Sequence, residues 1–353
     1  MDWMIYGANG YAGRLVAAQA VRRGLRPVLA GRGDAVRTMA RTLSQRDRVF
    51  ALDDAPGMAH ALDGIGLVLN CAGPFARTCP PLLRACLERG VHYLDLSGEI
   101  DVFAHCHALD AEARARGVVV LPGVGFDVTA TDGVGARLHR AVPAATSLVL
   151  AFETRGRPSP GTVGTLIEGL AAGGRVRRAG ALCEVPLAAT LREFACPPQA
   201  QGEPERRRCA ISVPWGDLYT AGVSTGIPDV EVFMATPPRR ARWIRRLRPL
   251  AVLARVPALR RMLHRHLLAR LRGPDAEARR RHGAMVWGEI RDAGGNAASL
   301  RLRLPNAYDF TVEAALAAVG RLRCGLAHGT GFHTPTTLFG VDFVFGLPGV
   351  EAV

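Results

Sequence analysis

Short, uninterrupted apolar runs open the chain, and stretches with helical spacing of apolar residues separate them. Met4-Ile5-Tyr6 is the first run. Gly7-Ala8-Asn9-Gly10-Tyr11-Ala12-Gly13 follows at once, then residues 14–23, which read as a helix with Leu15, Ala18 and Val21 or Ala17 on one face. Residues 26–30, 49–52, 67–71, 92–96 and 118–121 read as five further strands. Helices are predicted over 79–89, with Thr78 as the cap, and over 102–116. Strands that are apolar along their whole length are covered on both faces, as in a parallel sheet flanked by helices. After residue 128 the pattern changes. Residues 147–153, 181–186, 231–235 and 299–304 look like longer, partly alternating strands, and 161–172 look helical. The pattern predicts an α/β protein. A Rossmann-type doubly wound parallel sheet spans 1–128, and an α+β substrate domain, with a surface for a homodimer, spans 129–319. A C-terminal segment, 320–353, rich in Gly, Pro and Phe over Phe332–Gly349, packs back on the first domain.

The segment after the first strand carries the most specific chemistry. Strand, glycine turn and helix form the context of a dinucleotide-binding fingerprint. In that context Gly7 permits the tight turn and Gly10 lets the backbone approach a pyrophosphate. Gly13 lets the helix pack close to the strand, and the helix N-terminus offers free N–H groups to the phosphates. The spacing is GxxGxxG, and a plain strand-to-helix turn is the competing reading. The second strand ends in Gly31-Arg32. An acid at that place bonds the ribose 2′-hydroxyl of NAD, whereas an arginine receives the 2′-phosphate of NADP. Arg32 therefore predicts NADP. Asp34, two residues on, is the rival acid; capping the next helix is the other role open to it.

Composition narrows the class. At 353 residues the chain suits about two domains. The first strand begins within a few residues of Met1, which leaves no room for a leader, and no run of 18 uncharged apolar residues occurs. The eight cysteines include no CxxC pair, so neither a zinc site nor a disulfide framework is indicated. His105-Cys106-His107 looks metal-like, but one helix face cannot present adjacent residues together. These features predict a metal-free cytoplasmic protein. All 45 basic residues are arginine. No lysine Schiff base, P-loop lysine or Tyr-xxx-Lys reductase site can exist.

The net charge of +14 is concentrated. Residues 239–282 carry fifteen arginines against Asp275 and Glu277, interleaved with Trp243, Ile244, Leu247 and a series of leucines up to Leu271. Pro249 and Pro257 divide this arm into short helices. An acidic carrier protein or an anionic membrane surface suits the Arg239–Arg281 stretch; a solvated arm with its apolar side in the core is the plain alternative. Nucleic acid is not expected, since no binding motif and little aromatic interleaving accompany the charge.

The unusual residues recur where the predicted strands end, which in doubly wound sheets is the ligand-binding edge. Asp95, Glu99 and Asp127 are the strand-end carboxyls nearest the expected nicotinamide, and Tyr93 is a nearby phenol. These four are the candidate catalytic group. Each also has a structural role open to it, such as capping a helix or bonding a ribose.

Taken together, the glycine turn, Ala30-Gly31-Arg32, Ala72-Gly73-Pro74-Phe75, residues 90–99 and Pro122-Gly123-Val124-Gly125-Phe126-Asp127 resemble the saccharopine dehydrogenase-like reductases. Pro214-Trp215-Gly216-Asp217, residues 224–228 and residues 329–346 look like the branch of trans-acting enoyl reductases, so the resemblance runs through most of the chain. It implies an NADP-binding domain, a second α+β domain and hydride transfer. By resemblance Gly7, Asn9, Gly10, Tyr11 and Gly13 hold the pyrophosphate, and Arg32 takes the 2′-phosphate. Cys71, Gly73 and Phe75 line the path from adenosine to nicotinamide. The implied substrate is an enoyl thioester, small or carrier-bound. Imine or amino-acid reduction, as in the saccharopine relatives, and a cofactor-binding peripheral membrane protein without turnover are the alternatives.

Overall fold

The computed structural model describes residues 1–164, 173–196, 206–248, 256, 273–327 and 329–353. The first strands are β1 (Trp3–Tyr6), β2 (Val28–Gly31), β3 (Asp47–Val49), β4 (Leu67–Asn70), β5 (His92–Asp95) and β6 (Val119–Leu121). They form a parallel sheet in the order β6-β5-β4-β1-β2-β3, extended beyond β6 by Gly331–Phe332 from the end of the chain. Strand order reverses between β1, which sits beside β2 with Ile5 opposite Leu29, and β4, with Ile5 opposite Leu69. A crevice opens at such a switch point, beyond the carboxyl ends of the strands. β1, β2 and β4 are buried along their whole length, as their unbroken apolar character demands.

Helices α1 (Tyr11–Arg22), α2 (Ala35–Thr42), α3 (Ala55–Ala61), α4 (Phe75–Arg89), α5 (Ile100–Ala108) and α6 (Asp110–Ala115) connect these strands. Several boundaries differ from the pattern. The buried face of α1 is Gly13, Val16, Ala17 and Ala20, not the one through Leu15 and Ala18, because Gly13 presses against Ala8 and fixes the helix rotation. β3 is earlier than 49–52. Phe50 lies beyond its ladder and packs its ring on Tyr6, centroids 5.0 Å apart, so this apolar tail is core rather than strand. α4 starts at Phe75, not Cys79, although Pro80 and Pro81 lie inside it. Thr78 does not cap it; its hydroxyl donates to the Ala72 carbonyl at 2.6 Å. The single helix expected over 102–116 is α5 and α6, with Leu109 between them. His105-Cys106-His107 lies in α5, with Cys106 buried and His107 stacked on Phe332; among the described residues no cluster holds a metal.

The remaining strands are β7 (Ala145–Thr154), β8 (Gly174–Arg178), β9 (Ala181–Val185), β10 (Leu191–Cys196), β11 (Arg206–Ser212), β12 (Asp229–Ala235), β13 (Ala284–Asp292), β14 (Ala297–Leu304), β15 (Gly331–Phe332) and β16 (Glu351–Ala352). A mixed sheet runs β10-β11-β12-β7-β13-β14-β16, with the β8–β9 hairpin attached to β12. β13, paired between β7 and β14, escapes a sequence reading because Gly288 interrupts it. A Cβ there would sit 2.7 Å from Leu138, so the glycine marks the close approach of α7 (Phe126–Ala141) and not a break. The expected helix over 161–172 is described only at residues 160–164, and its remainder lies outside the described residues.

α7 begins at the crevice and runs beneath the second sheet, so the expected boundary at residue 128 falls inside it. The helix Ala307–Arg323 packs against α1 and spans the other expected boundary. One hydrophobic core runs through both sheets. Buried Asp132 of α7 accepts bonds from the Ser224 hydroxyl and from the Thr336 N–H and hydroxyl at 2.9 and 2.6 Å, tying the C-terminal segment to the centre. Among the described residues no helix is long and apolar enough to cross a membrane.

Candidate active site

The glycine turn is built by three different constraints. Gly7 has φ +78°, and a Cβ on it would meet Ala72 at 2.7 Å. Its N–H donates to the Ala30 carbonyl at 2.8 Å, which joins the turn to β2. A Cβ on Gly13 would lie 2.9 Å from the Ala8 Cα, so this glycine serves close packing. Gly10 differs. It is the N-cap of α1 in extended conformation, and the nearest protein atoms to an added Cβ are the Gly7 and Cys71 oxygens at 3.1 and 4.0 Å. The space in front of Gly10 is the cleft itself. The first turn of α1 carries no acid and leaves its positive end open to phosphate.

This cleft has a volume of about 1340 Å3. Gly7, Asn9, Gly10 and Tyr11 line one end together with Arg32; Cys71, Gly73 and Phe75 line the stretch that follows. Arg32 is exposed and has no ionic partner among the described residues. Asp34 stands at the N-cap of α2 without making a capping bond; its carboxylate pairs with Arg37 at 2.8 Å. The rival acid is thus paired with Arg37, and Arg32 is free of an ionic partner among the described residues. Tyr6, which the sequence reading passed over, also lines this end; its hydroxyl is buried without a partner among the described residues. Cys71 closes β4, and burial pushes its thiol far above the ordinary range. An open helix N-terminus, an unpaired arginine at the second strand end and an orphaned phenol fit a dinucleotide with a 2′-phosphate.

Tyr11 does more than face phosphate. Its hydroxyl donates to the Pro274 carbonyl at 2.5 Å and accepts from Arg279 at 3.3 Å, while its ring meets Tyr308 edge-on at 4.8 Å. It latches the turn to the chain leaving the basic arm. Arg279 also pairs with Asp309 at 2.8 Å, so this arginine is structural.

The four catalytic candidates separate. Tyr93 and Asp95 do not reach the cleft; both are fully buried behind its floor. The Asn70 amide donates to the Tyr93 hydroxyl at 3.1 Å, which donates to Asp95 at 2.9 Å. The other Asp95 oxygen accepts the Ser97 and Gly123 N–H groups at 2.9 and 3.0 Å. This network knits the ends of β4, β5 and β6. Burial pushes Asp95 up to about 6, against the pull of those bonds. Glu99 is also absent from the cleft lining. Its carboxylate accepts the Phe75 and Ala76 N–H groups at 2.9 and 2.8 Å and so caps α4 from the start of α5. That cap is why α4 starts at Phe75.

Asp127 is the one candidate of the four that lines the cleft. It lies in the first turn of α7, and its Cβ and one oxygen fit where a Gly98 side chain would stand, at 2.9 and 3.1 Å. Burial, and secondarily the negative Glu99, push it up to about 7. Beyond it lies an apolar wall of Leu96, Phe126, Phe152, Trp215 and Met234, with Phe152 and Trp215 centroids 5.3 Å apart. Sequence reading missed this wall because its members come from distant elements; Trp215, within Pro214-Trp215-Gly216-Asp217, is the one that carried a signal. Arg157 and Arg240 stand exposed at the edge of the cleft. Of the basic arm, residues 239–248 and 273–282 are described, as is Val256; the other residues from Pro249 to Arg272 lie outside the described residues.

Comparison with known proteins places this geometry. Residues 3–121 match the model of the saccharopine dehydrogenase NADP-binding domain. A trans-acting enoyl reductase of Mycobacterium leprae is 32% identical over 152 residues, 40% of this chain and 36% of that protein. A saccharopine dehydrogenase-like oxidoreductase of Bos taurus is 25% identical over 150 residues, 36% of this chain and 35% of that protein. The chain thus spans about a third of the length of these curated relatives. The likeness expected through most of the chain is found in sequence over 40% of it. In fold it extends further. Apo saccharopine dehydrogenase (L-Glu forming) from Saccharomyces cerevisiae superposes with a TM-score of 0.69 at 11% identity, covering 100% of this chain and 99% of that one. Residues 3–121 thus match a saccharopine dehydrogenase NADP-binding domain, and over about 40% of its length the chain is similar to trans-acting enoyl reductases and saccharopine dehydrogenase-like oxidoreductases.

Proposed function

We propose that the protein is an NADPH-dependent reductase of an α,β-unsaturated acyl thioester, with Asp127 as the proton donor. The carrying observation is the position of Asp127. It is the cleft-lining candidate acid, in the same cleft as the glycine turn and the apolar wall of Leu96, Phe126, Phe152, Trp215 and Met234. When bound, NADPH supplies a hydride for the β-carbon. The chain supplies the rest. The aromatic wall holds an acyl chain, the strand ends fix its orientation, and Asp127 delivers a proton to the α-carbon. Hydride plus proton saturate one carbon–carbon double bond. The matched enoyl reductase of M. leprae supports this substrate class.

Steady oxidation of NADPH with a crotonyl or longer enoyl thioester is the expected result, followed at 340 nm. Activity confined to imines formed from a keto acid and an amine would replace this reading with the amino-acid type, for which Arg157 and Arg240 at the cleft edge would hold the carboxylate. No oxidation with either, despite bound NADPH, would remove both. Cofactor choice is tested separately. Arg32→Ala should weaken NADPH about ten- to a hundredfold, as for loss of one charge-assisted phosphate contact. NADH affinity should change much less, and equal losses in titration would exclude Arg32 from the 2′-phosphate.

A further inference from the structure

The helix Pro238–Leu247 follows directly from β12 and forms part of the cleft rim through Arg240. One side is anchored. Ala241 is 1% exposed, and Ile244 packs against the main core. Helical spacing puts Trp243 and Leu247, four residues apart, on one face turned away from Ala241, and both are open, at 62% and 47% exposure. Arg239, Arg240 and Arg246, three or four positions from Trp243, neighbour it on that side, and Arg242, Arg245 and Arg248 are exposed further round the helix. No acid occurs from Pro238 to Arg248, and none of these arginines has an acidic partner among the described residues.

Arginines alone would suffice to attract an acidic protein. The exposed indole and Leu247 in the middle of the same face need a further explanation, because a purely ionic contact leaves them hydrated. An apolar centre ringed by arginine is the arrangement of an interfacial helix. The ring attracts anionic headgroups, and the centre enters the boundary between headgroup and acyl chain, where tryptophan is favoured. We propose that the helix Pro238–Leu247 docks on an anionic lipid surface and seats the cleft mouth there, so that the substrate is an amphiphile drawn from that surface. The docking stands independently of the chemistry; the substrate class rests on the reductase reading above.

The full chain is to be sedimented with vesicles of phosphatidylglycerol and phosphatidylcholine, and with phosphatidylcholine alone. Strong retention on the anionic vesicles and at least about tenfold weaker retention on neutral ones is expected, since each arginine near an anionic surface contributes about fivefold. Trp3, Trp215 and Trp287 are 1%, 8% and 2% exposed, so a blue shift of tryptophan emission on vesicle addition reports Trp243. Trp243→Phe should abolish the shift and keep the retention. Trp243→Ala with Leu247→Ala should lower partition at least about tenfold. NADPH binding, measured on the same samples, should be unchanged. It shows that the variants are folded and keeps failure of docking distinct from failure of the cofactor site. Three results would overturn the proposal. One is a wild type that does not sediment with anionic vesicles, and another is a double variant that sediments as well as the wild type. Alternatively, an acidic acyl carrier protein binds this face, in a manner lost in the double variant, while vesicles do not.

Discussion

Asp127→Asn is expected to lower kcat about a hundred- to ten-thousandfold, the usual contribution of a positioned general acid. NADPH affinity should remain, because the phosphates are assigned to the glycine turn and Arg32 and not to Asp127. Asparagine keeps the volume that fits against Gly98, where the Asp127 Cβ is 2.9 Å from a notional side chain. It has no proton to give. Rapid-mixing kinetics with saturating NADPH will separate the chemical step from binding, and a kcat within threefold of wild type would exclude Asp127 as the donor. Burial holds this carboxyl up to about 7. A donor must keep its proton, so wild-type turnover should fall as pH rises through about 7, and the Asn variant should lack that limb.

The same shift has a consequence for stability. The folded pKa lies above the ordinary 3.8, so the folded form holds the proton more tightly than the unfolded chain. Relative stability is therefore fully present below 3.8 and is lost as pH rises through about 7. Asp127→Asn removes that loss. At pH 8 the variant should melt at a higher temperature than the wild type while turning over more slowly, a combination that a merely structural Asp127 would not produce.

Gly10→Val is expected to weaken NADPH binding by at least about a hundredfold, since a branched side chain would occupy the phosphate position at the helix N-terminus. The fold should survive. Gly10 is in an extended conformation open to valine, and the closest protein atom to its Cβ is the Gly7 oxygen at 3.1 Å. Titration calorimetry beside a thermal melt checks both halves, and unchanged affinity would place the phosphates elsewhere. Gly7→Val and Gly13→Val provide the contrast. One needs φ +78° and the other meets Ala8 at 2.9 Å, so both should fail through the fold itself.

What the chain reveals in one dimension follows from how local each feature is. The buried strands, the glycine turn and Arg32 are legible because each is determined within a dozen residues. Glu99 capping α4 is not, since cap and helix start lie 24 residues apart in sequence. Tyr93 and Asp95 looked catalytic because carboxyls and phenols at strand ends often are. Here Asp95 satisfies the Ser97 and Gly123 N–H groups and Tyr93 ties it to the Asn70 side chain, and only the spatial arrangement distinguishes that use. Tyr11 was legible as part of the turn but not as a latch, whose partners at Pro274 and Arg279 come from far along the chain. The aromatic wall gathers Leu96, Phe126, Phe152, Trp215 and Met234 from separate elements, so no periodicity announces it.

The parallel pairing of Gly331–Phe332 with Val119 and Val120 has a further consequence, for synthesis of the protein. Phe332 also donates its N–H to Asp110, 222 positions earlier. The cofactor sheet, begun at Trp3–Tyr6, gains its last strand only after residue 330 has been synthesised. Its outer strand β6 waits through translation with one edge unpaired, and such edges attract foreign strands. A nascent chain halted within the second sheet is therefore a species with a nearly complete nucleotide fold and an open flank, the form for which a chaperone would compete with aggregation.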